Sequence, residues 1–201
     1  MKPQKKLPRK FYMRDVHIVA KELLGKFLVR RVGRKYLIGK IVEVEAYDGS
    51  VDKAAHTYGG KTKRNEVMFN EGGFLYVYFT YGMHFCSNVV TGKINEGKAV
   101  LLRAVEPLSM LDIMALNRFG KKDISAPELK NLTNGPAKIC EAFGIMRSDN
   151  GTDLLGNEIF ILNSQKLSEN KIAASVRIGI KKSVDLPWRY YIKNNSFLSR
   201  K

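Results

Sequence analysis

Hydrophobic residues recur along this chain with two different periods, which divide it into predicted strands and helices. Two-residue alternation or short apolar runs predict strands over residues 27–32, 36–47, 98–106, 159–162 and 175–180, and a pair of strands within 74–90. Helical spacing predicts helices over residues 14–24, 109–118 and 137–143. Because neighbouring strands follow one another through turns, the pattern indicates one mixed α+β domain built on hairpins, not on parallel βαβ units.

Several boundaries of these elements carry residues that suit them. Gly25 fits the end of the first helix, Ser109 the N-cap of the second, and Pro136 the first turn of the third. Pro107 is predicted to stop the strand that begins at residue 98. The residues after 180 are interpreted as a basic, aromatic tail.

The strand predicted over residues 36–47 carries two acidic side chains on one face. Near its end apolar and polar residues alternate, so Glu43, Glu45 and Tyr47 point to the same side. A surface strand can carry such charges, so this segment by itself favours a solvated face. His56 follows in a loop over residues 48–73, and a structureless loop of that length is more often functional than idle.

The paired strands within residues 74–90 are rich in aromatic residues. A Tyr-Gly step at residues 81–82 predicts a hairpin whose tip lies near residues 80–83, which would leave Tyr81 exposed at the end of a stiff ribbon. One interpretation is a core strand with an exposed tyrosine. The other is an aromatic side chain that wedges into a stack of nucleic-acid bases.

Two basic residues stand out in the second half of the chain. Arg103 lies in an otherwise apolar strand, where an unpaired charge is costly, so it is predicted either to pair with Glu43 or Glu45 or to act in catalysis. The GPAKI segment places backbone amides and Lys138 at a helix start, which is a ready site for phosphate.

Composition narrows the class of protein. The chain has 201 residues, enough for one well-buried domain, and 35 Lys+Arg against 19 Asp+Glu give a net charge of +16. This excess points to a polyanionic partner, with nucleic acid favoured over an anionic membrane. No apolar run approaches the roughly 20 residues of a membrane span, and the basic start MKPQKKLPRK lacks the apolar region of a secretory signal. Cys86 and Cys140 are too few for a disulfide scaffold, and no Cys/His spacing suits zinc. We therefore expect a reduced, intracellular protein without metal, with a flexible basic arm over residues 1–10 and a single domain over 11–201.

Several motifs in one order, spread over nearly the whole chain, carry a resemblance to a known family. They are EVEAYDG, AAH followed by GG and RN..MF, YVYFTYGMHFCSNVV, LLRAVEP, and NGPAKIC with its trailing NGTDLL. In these motifs the chain resembles the alkyladenine (3-methyladenine) DNA glycosylases of the mammalian AAG type. Two positions depart from the family pattern, Lys63 where a proline often precedes RN and Ala137 where many members have glycine, and both fall outside the implied base pocket.

The resemblance implies both a fold and an activity. The fold is a curved antiparallel β-sheet with a protruding β-hairpin, surrounded by α-helices. The activity is monofunctional base excision from double-stranded DNA containing damaged purines such as 3-methyladenine, 7-methylguanine and hypoxanthine, with no cofactor and no metal. It further implies a monomer without a membrane partner, located with the DNA, in the cytoplasm and nucleoid of a bacterium or the nucleus of a eukaryote.

The resemblance also implies roles for individual residues. Glu45 would be the general base that activates water, and Arg103 would help to place that water. The pocket for the extruded base would be formed by Tyr47, His56, Tyr78 and Asn88, of which Asn88 discriminates against normal guanine. DNA contacts would come from Tyr81 as the wedge, and from Arg64, Met68 and Lys138.

Two other classes of protein remain open from the sequence. A nucleic-acid-binding domain without catalysis would explain the charge and the aromatic residues but not the ordered pocket motifs. A metal-dependent nuclease could use Glu43 and Glu45, although Ala46-Tyr47 follows where such sites commonly continue as ExK. Release of free base in the presence of EDTA distinguishes the three classes.

Overall fold

The alternating stretches of the sequence form an antiparallel sheet, which curls around a hydrophobic core. The computed structural model describes residues 5–80 and 82–200, and within them the sheet has eight strands. The strands are β1 Phe27–Val32, β2 Lys35–Asp48, β3 Leu75–Thr80, β4 His84–Thr91, β5 Lys98–Ser109, β6 Ile159–Leu162, β7 Ile172–Ser175 and β8 Arg189–Ile192. The α-helices are α1 Arg9–Tyr12, α2 Val16–Leu23, α3 Leu111–Phe119, α4 Ala126–Asn131 and α5 Pro136–Phe143, and short 3₁₀ turns lie at Glu66–Phe69, Arg147–Asp149 and Glu169–Lys171.

The long strand β2 organises the sheet. The strand order is β3-β4-β5-β2-β1-β6, and β8 also pairs with β2 while β7 pairs with β8. One edge of β2 pairs with β5. The other edge pairs first with β1, over residues 35–40, and then with β8, over residues 43–45. The register against β5 shifts on both sides of Glu43, and such bulges bend and twist a strand. The bend therefore marks the point where β2 exchanges β1 for β8.

Amphipathic helices close the inner side of the curled sheet. Asp15 caps α2 by accepting hydrogen bonds from the backbone N–H groups of His17 and Ile18, at 2.9 and 3.2 Å. The buried face of α2 packs against β2 and β5, and α5 packs against β4 and β5. Burying each valine or leucine of these faces contributes about 1.5–3 kcal/mol. No helix among the described residues has the length and apolar content that crossing a membrane requires.

The predicted fold class is confirmed: the chain is a mixed α+β fold with a curved antiparallel sheet. The first four residues of the predicted basic arm lie outside the described residues. In the described part of that segment Leu7 is buried, and its N–H donates to the Ile161 carbonyl at 2.9 Å.

Two predictions around residue 109 are wrong. Strand β5 continues past Pro107 to Ser109, because β4 covers only the first residues of β5 and leaves this part of its other edge free. A proline is tolerated at such an edge, and the register shift opposite Gly39 accommodates it. Ser109 is therefore a strand residue, and the N-cap of α3 is Met110, in a left-handed conformation with φ 57°.

Three predictions in the rest of the chain also need correction. The strand predicted over residues 175–180 ends at Ser175 as β7, and the residues after it leave the sheet. Strand β8 lies in the segment that was interpreted as a tail. Helix α4 was missed, although Ser125 and Glu128 form a capping box, which is a recognisable start signal.

Candidate active site

A cavity of about 370 Å³ opens where β2, β3, β4 and β5 meet two loops. This volume lies within the range of small-molecule pockets in proteins. The structure brings together on its wall seven of the residues singled out from the sequence: Tyr47, His56, Arg64, Met68, Tyr78, Asn88 and Arg103. Further lining comes from Ala54, Tyr76, Thr80, Cys86, Leu101, Pro136, Ile178, Gly179 and Ile180.

Aromatic rings form one side of the cavity. The His56 ring meets Tyr78 edge to face, with ring centroids 4.6 Å apart, and Tyr76 stacks on Tyr78 at 5.5 Å. The Nδ1 atom of His56 hydrogen-bonds the Tyr76 hydroxyl at 3.1 Å. The pairing of β3 with β4 sets Tyr76 opposite Asn88 and Tyr78 opposite Cys86, so the sheet register fixes this wall.

Burial sets the ionisation state of these aromatic side chains. Burial lowers the pKa of His56, and the positive charge of Arg64 lowers it further, so the imidazole is neutral at pH 7. Burial also raises the pKa of Tyr78 and that of Tyr47. The negative charge of Glu45 raises the pKa of Tyr47 further. The wall therefore offers neutral rings with protonated hydroxyl groups.

Both glutamates of β2 are 0 % exposed, so the solvated face favoured by their segment alone is wrong. Glu45 accepts a hydrogen bond from the Tyr47 hydroxyl at its Oε2 atom, at 2.8 Å. Its Oε1 atom accepts from the Ile178 N–H at 2.8 Å and pairs with an Arg103 nitrogen at 3.2 Å. Two carboxylate oxygens offer about four acceptor positions. Among the described residues, these contacts leave Oε2 one position for a further donor.

The neighbouring Glu43 differs in the number and the origin of its donors. Its Oε1 atom accepts from Arg103 at 3.1 Å, from Arg189 at 2.8 Å and from the Ser199 hydroxyl at 2.7 Å. Its Oε2 atom accepts from the Ser199 N–H at 2.6 Å. Four donors therefore fix Glu43, and two of its partners, Arg189 and Ser199, do not line the cavity. All three partners of Glu45 do line it.

Arg103 connects the two carboxylates. The sequence left open whether it pairs with Glu43, pairs with Glu45 or takes part in catalysis. The structure shows ion pairs to both glutamates, and the same side chain lines the cavity. With Arg189 also on Glu43, two guanidinium groups balance two buried carboxylates, which removes most of the cost of burying them.

The remaining predicted residues occupy different depths. Arg64 is exposed at the cavity mouth, with its guanidinium 5.9 Å from the Tyr78 ring centroid. Met68 is buried in a small apolar cluster with Tyr76. Asn88 is also buried, and its side-chain amide donates to the Tyr76 carbonyl at 3.4 Å.

Lys138 and Tyr81 stand apart from this group. Lys138 lies in the first turns of α5 and donates to the side-chain oxygens of Asn131 and Asn134, the latter at 2.8 Å, and it does not line the cavity. Tyr81 follows the last residue of β3 in the sequence and lies outside the described residues. Strands β3 and β4, which lie before and after Tyr81 in the sequence, pair as a hairpin. Met83, between these strands, is largely exposed.

The sequence did not single out the segment around Arg177. Arg177 is buried, forms a two-pronged ion pair with Asp52, and places its guanidinium 4.6 Å from the Tyr47 ring centroid. The next residue, Ile178, donates its N–H to Glu45, so this one segment contacts both Tyr47 and Glu45. An arginine among apolar residues, in SVRIGI, is the same signal that drew attention to Arg103.

Known proteins are similar to this chain over nearly its whole length. A family model described as methylpurine-DNA glycosylase (MPG) matches residues 10–196. A protein of Carboxydothermus hydrogenoformans is 50 % identical over 196 residues, covering 97 % of this chain and 99 % of the relative. Proteins of Clostridium botulinum (strain Alaska E43) and Clostridium novyi are each 47 % identical, over 202 and 203 residues, covering 97 and 98 % of this chain and 99 and 100 % of the relatives. All three carry the name "Putative 3-methyladenine DNA glycosylase".

Proposed function

The chain belongs to the methylpurine-DNA glycosylase family, and from this premise we propose that it excises alkylated or deaminated purines from double-stranded DNA. As a DNA glycosylase it is a hydrolase of base-excision repair. The finer proposal is that Glu45 activates the water that attacks the N-glycosidic bond and leaves an abasic site. One observation carries it: a buried carboxylate with a free acceptor position lies directly behind the wall of an aromatic cavity.

Access to the bond requires that the base leaves the duplex. An enzyme cannot reach a base inside the stack, so it must rotate the nucleotide outward, at a cost of a few kcal/mol. The net charge of +16 supports binding to the phosphates, with Arg64 at the mouth of the cavity as one contact. In this proposal Tyr81 fills the gap in the duplex, Met68 contacts the DNA from the cavity wall, and Lys138 contacts phosphate from α5.

The chemistry needs a negative charge and an oriented water. Departure of the base leaves positive charge on the sugar, which a carboxylate at close range stabilises. Glu45 would accept the proton of the water at Oε2, while Tyr47 and Arg103 hold the carboxylate in place. Both contacts come from hydrogen-bond donors, which fix the orientation of the carboxylate.

The cavity wall suits a positively charged purine. Purines alkylated at N3 or N7 carry a positive charge, and the faces of Tyr47, His56 and Tyr78 would stack against it. Such cation–π contacts contribute about 0.5–2 kcal/mol when the site is dry. Because His56 is neutral, it adds no repulsion. Asn88, a buried residue of the cavity wall, is the proposed barrier to normal guanine.

We further propose that the enzyme is monofunctional and acts as a monomer, with no membrane partner, in the compartment that holds the DNA. A lyase activity would require a lysine nucleophile in the cavity. Among the described residues that line the cavity, none is a lysine. Hydrolysis by water needs no such group.

The decisive experiment is incubation of the purified protein with a methylated DNA duplex in EDTA, scored for free base and for strand breaks. Release of free methylated purine without breaks supports the proposal. Binding without release would indicate a DNA-binding domain. Strand breaks that appear only when a divalent metal ion replaces EDTA would indicate a nuclease.

A further inference from the structure

The segment that follows β8, residues 193–200, returns to the buried side of the active site. Asn195 anchors it by donating to Glu106 of β5 at 3.0 Å. Near its end, the carbonyl of Arg200 accepts a hydrogen bond from Arg189 at 2.6 Å. Between these two anchors, Ser199 reaches the carboxylate of Glu43.

Ser199 makes three kinds of contact with the network behind the cavity. Its N–H donates to Glu43 Oε2 at 2.6 Å, and its hydroxyl donates to Glu43 Oε1 at 2.7 Å. The same hydroxyl oxygen accepts a hydrogen bond from the Nη2 atom of Arg103 at 3.1 Å. One serine side chain thus contacts both ends of the Glu43–Arg103 ion pair.

These contacts fix the direction of the Arg103 guanidinium. Its Nε atom donates to Glu43, its Nη2 atom donates to Ser199, and its Nη1 atom lies 3.2 Å from Glu45. The guanidinium group is planar and rigid, so holding one edge determines where the remaining nitrogen points. Ser199 and Glu43 hold that edge, and the remaining nitrogen points at Glu45.

We propose that Ser199 is a positioning residue of the glycosylase, which acts through Arg103 to hold Glu45 in its productive orientation. The inference rests on the proposed role of Glu45. Without the hydroxyl, Arg103 Nη2 loses its acceptor and Glu43 loses one donor, so the guanidinium can turn towards Glu43 and release Glu45. A displacement of about 1 Å at reacting groups can reduce a rate as much as 100-fold.

The test compares Ser199→Ala with Ser199→Thr, which retains the hydroxyl. We expect Ser199→Ala to lower the single-turnover rate of base release about tenfold and Ser199→Thr to restore it to within about twofold. Lesion-duplex affinity, measured in a Glu45→Gln background so that the substrate persists, should stay the same with and without Ser199→Ala. A chain ended after Leu198 removes the backbone donor as well and should lose more rate than Ser199→Ala.

Ser196→Ala is the matched control, because Ser196 is an exposed serine of the same segment. It should leave both rate and affinity unchanged. If Ser199→Ala keeps the wild-type rate, or if rate and affinity fall in parallel with the melting temperature, Ser199 only secures the end of the chain and the inference is wrong. If the wild type releases no base, or Glu45→Gln retains the rate, the proposed function itself fails, whatever the Ser199 variants do.

Discussion

The site predicts that Glu43 and Glu45, two residues apart on β2, respond differently to the same substitution: one should lose stability and the other activity. In Glu45→Gln, the amide oxygen can still accept from Ile178 and the amide nitrogen can donate to the Tyr47 oxygen, so the local network survives. The variant therefore keeps its shape but loses the proton acceptor and the negative charge. We expect the rate of base release to fall at least about 100-fold, equivalent to about 2.7 kcal/mol in the barrier.

Glu43→Gln provides the comparison. Glu43 Oε1 receives three donors and Oε2 receives one, so an amide nitrogen placed at either position must face the Ser199 N–H or an arginine. We expect a loss of about 1–3 kcal/mol in the free energy of unfolding, because a buried donor loses its acceptor. Base release should fall much less than in Glu45→Gln.

The assay is single-turnover release of 3-methyladenine from a methylated duplex, with unfolding followed by urea titration and lesion binding by fluorescence anisotropy. Lesion binding should remain largely intact in Glu45→Gln. If Glu45→Gln retained most of the activity and Glu43→Gln lost it, the catalytic assignment would move two residues along β2 to Glu43.

Four further expectations follow from the structure and the charge. Tyr81→Ala should weaken binding to a lesion duplex and slow excision from duplex more than from single strands, and equal slowing on both would mean that the tyrosine only packs. DNA affinity should fall steeply with salt as counterions return to the phosphates, and a flat response would contradict the interpretation of the net charge. Tyr47→Leu should slow excision of 3-methyladenine proportionally more than that of hypoxanthine, and loss of hypoxanthine activity alone would refute charge selection by the aromatic wall. Hypoxanthine, which is neutral, should show the stronger fall in excision rate above neutral pH, because it needs acid assistance to leave. Burial lowers the pKa of both His17 and His56 in the folded protein, so the unfolded chain binds more protons as the pH drops below about 6.5, and the free energy of unfolding should decrease between pH 7 and 5. His17→Asn and His56→Asn, measured by urea titration across that range, should flatten this decrease, and an unchanged slope would exclude these histidines as its source.

The sequence predicts the parts of the molecule whose pattern is local. Strands β1 and β2 follow from an apolar run and an alternating stretch around a glycine turn, and α2 follows from apolar spacing that ends at Gly25. The shared face of Glu43 and Glu45 follows from the same alternation. Which of the two receives more donors does not, because the donors that distinguish them come from Arg189 and Ser199, well over a hundred residues away.

The errors arise where a local pattern fits two structures. Residues 175–180 alternate like a strand, but Gly179 has φ 78°, and the chain turns there to line the cavity instead of extending β7. Strand β8 has too few residues, among too many charges, to stand out from a surface tail. Its pairing with the bent half of β2 supplies the stability that its own composition lacks.

The cavity wall combines two kinds of element, and this division bears on how new specificities can evolve. Glu45, Tyr47 and Arg103 lie on the two long strands β2 and β5, which pair with each other, whereas residues 54–64 and 179–180 reach the cavity from loops. Loops accept substitutions and changes of length far more readily than paired strands do. Mutations that reshape the loop side can therefore accumulate without moving the carboxylate. A laboratory selection for enzymes that recognise other modified bases should diversify those loop residues and leave β2 and β5 untouched.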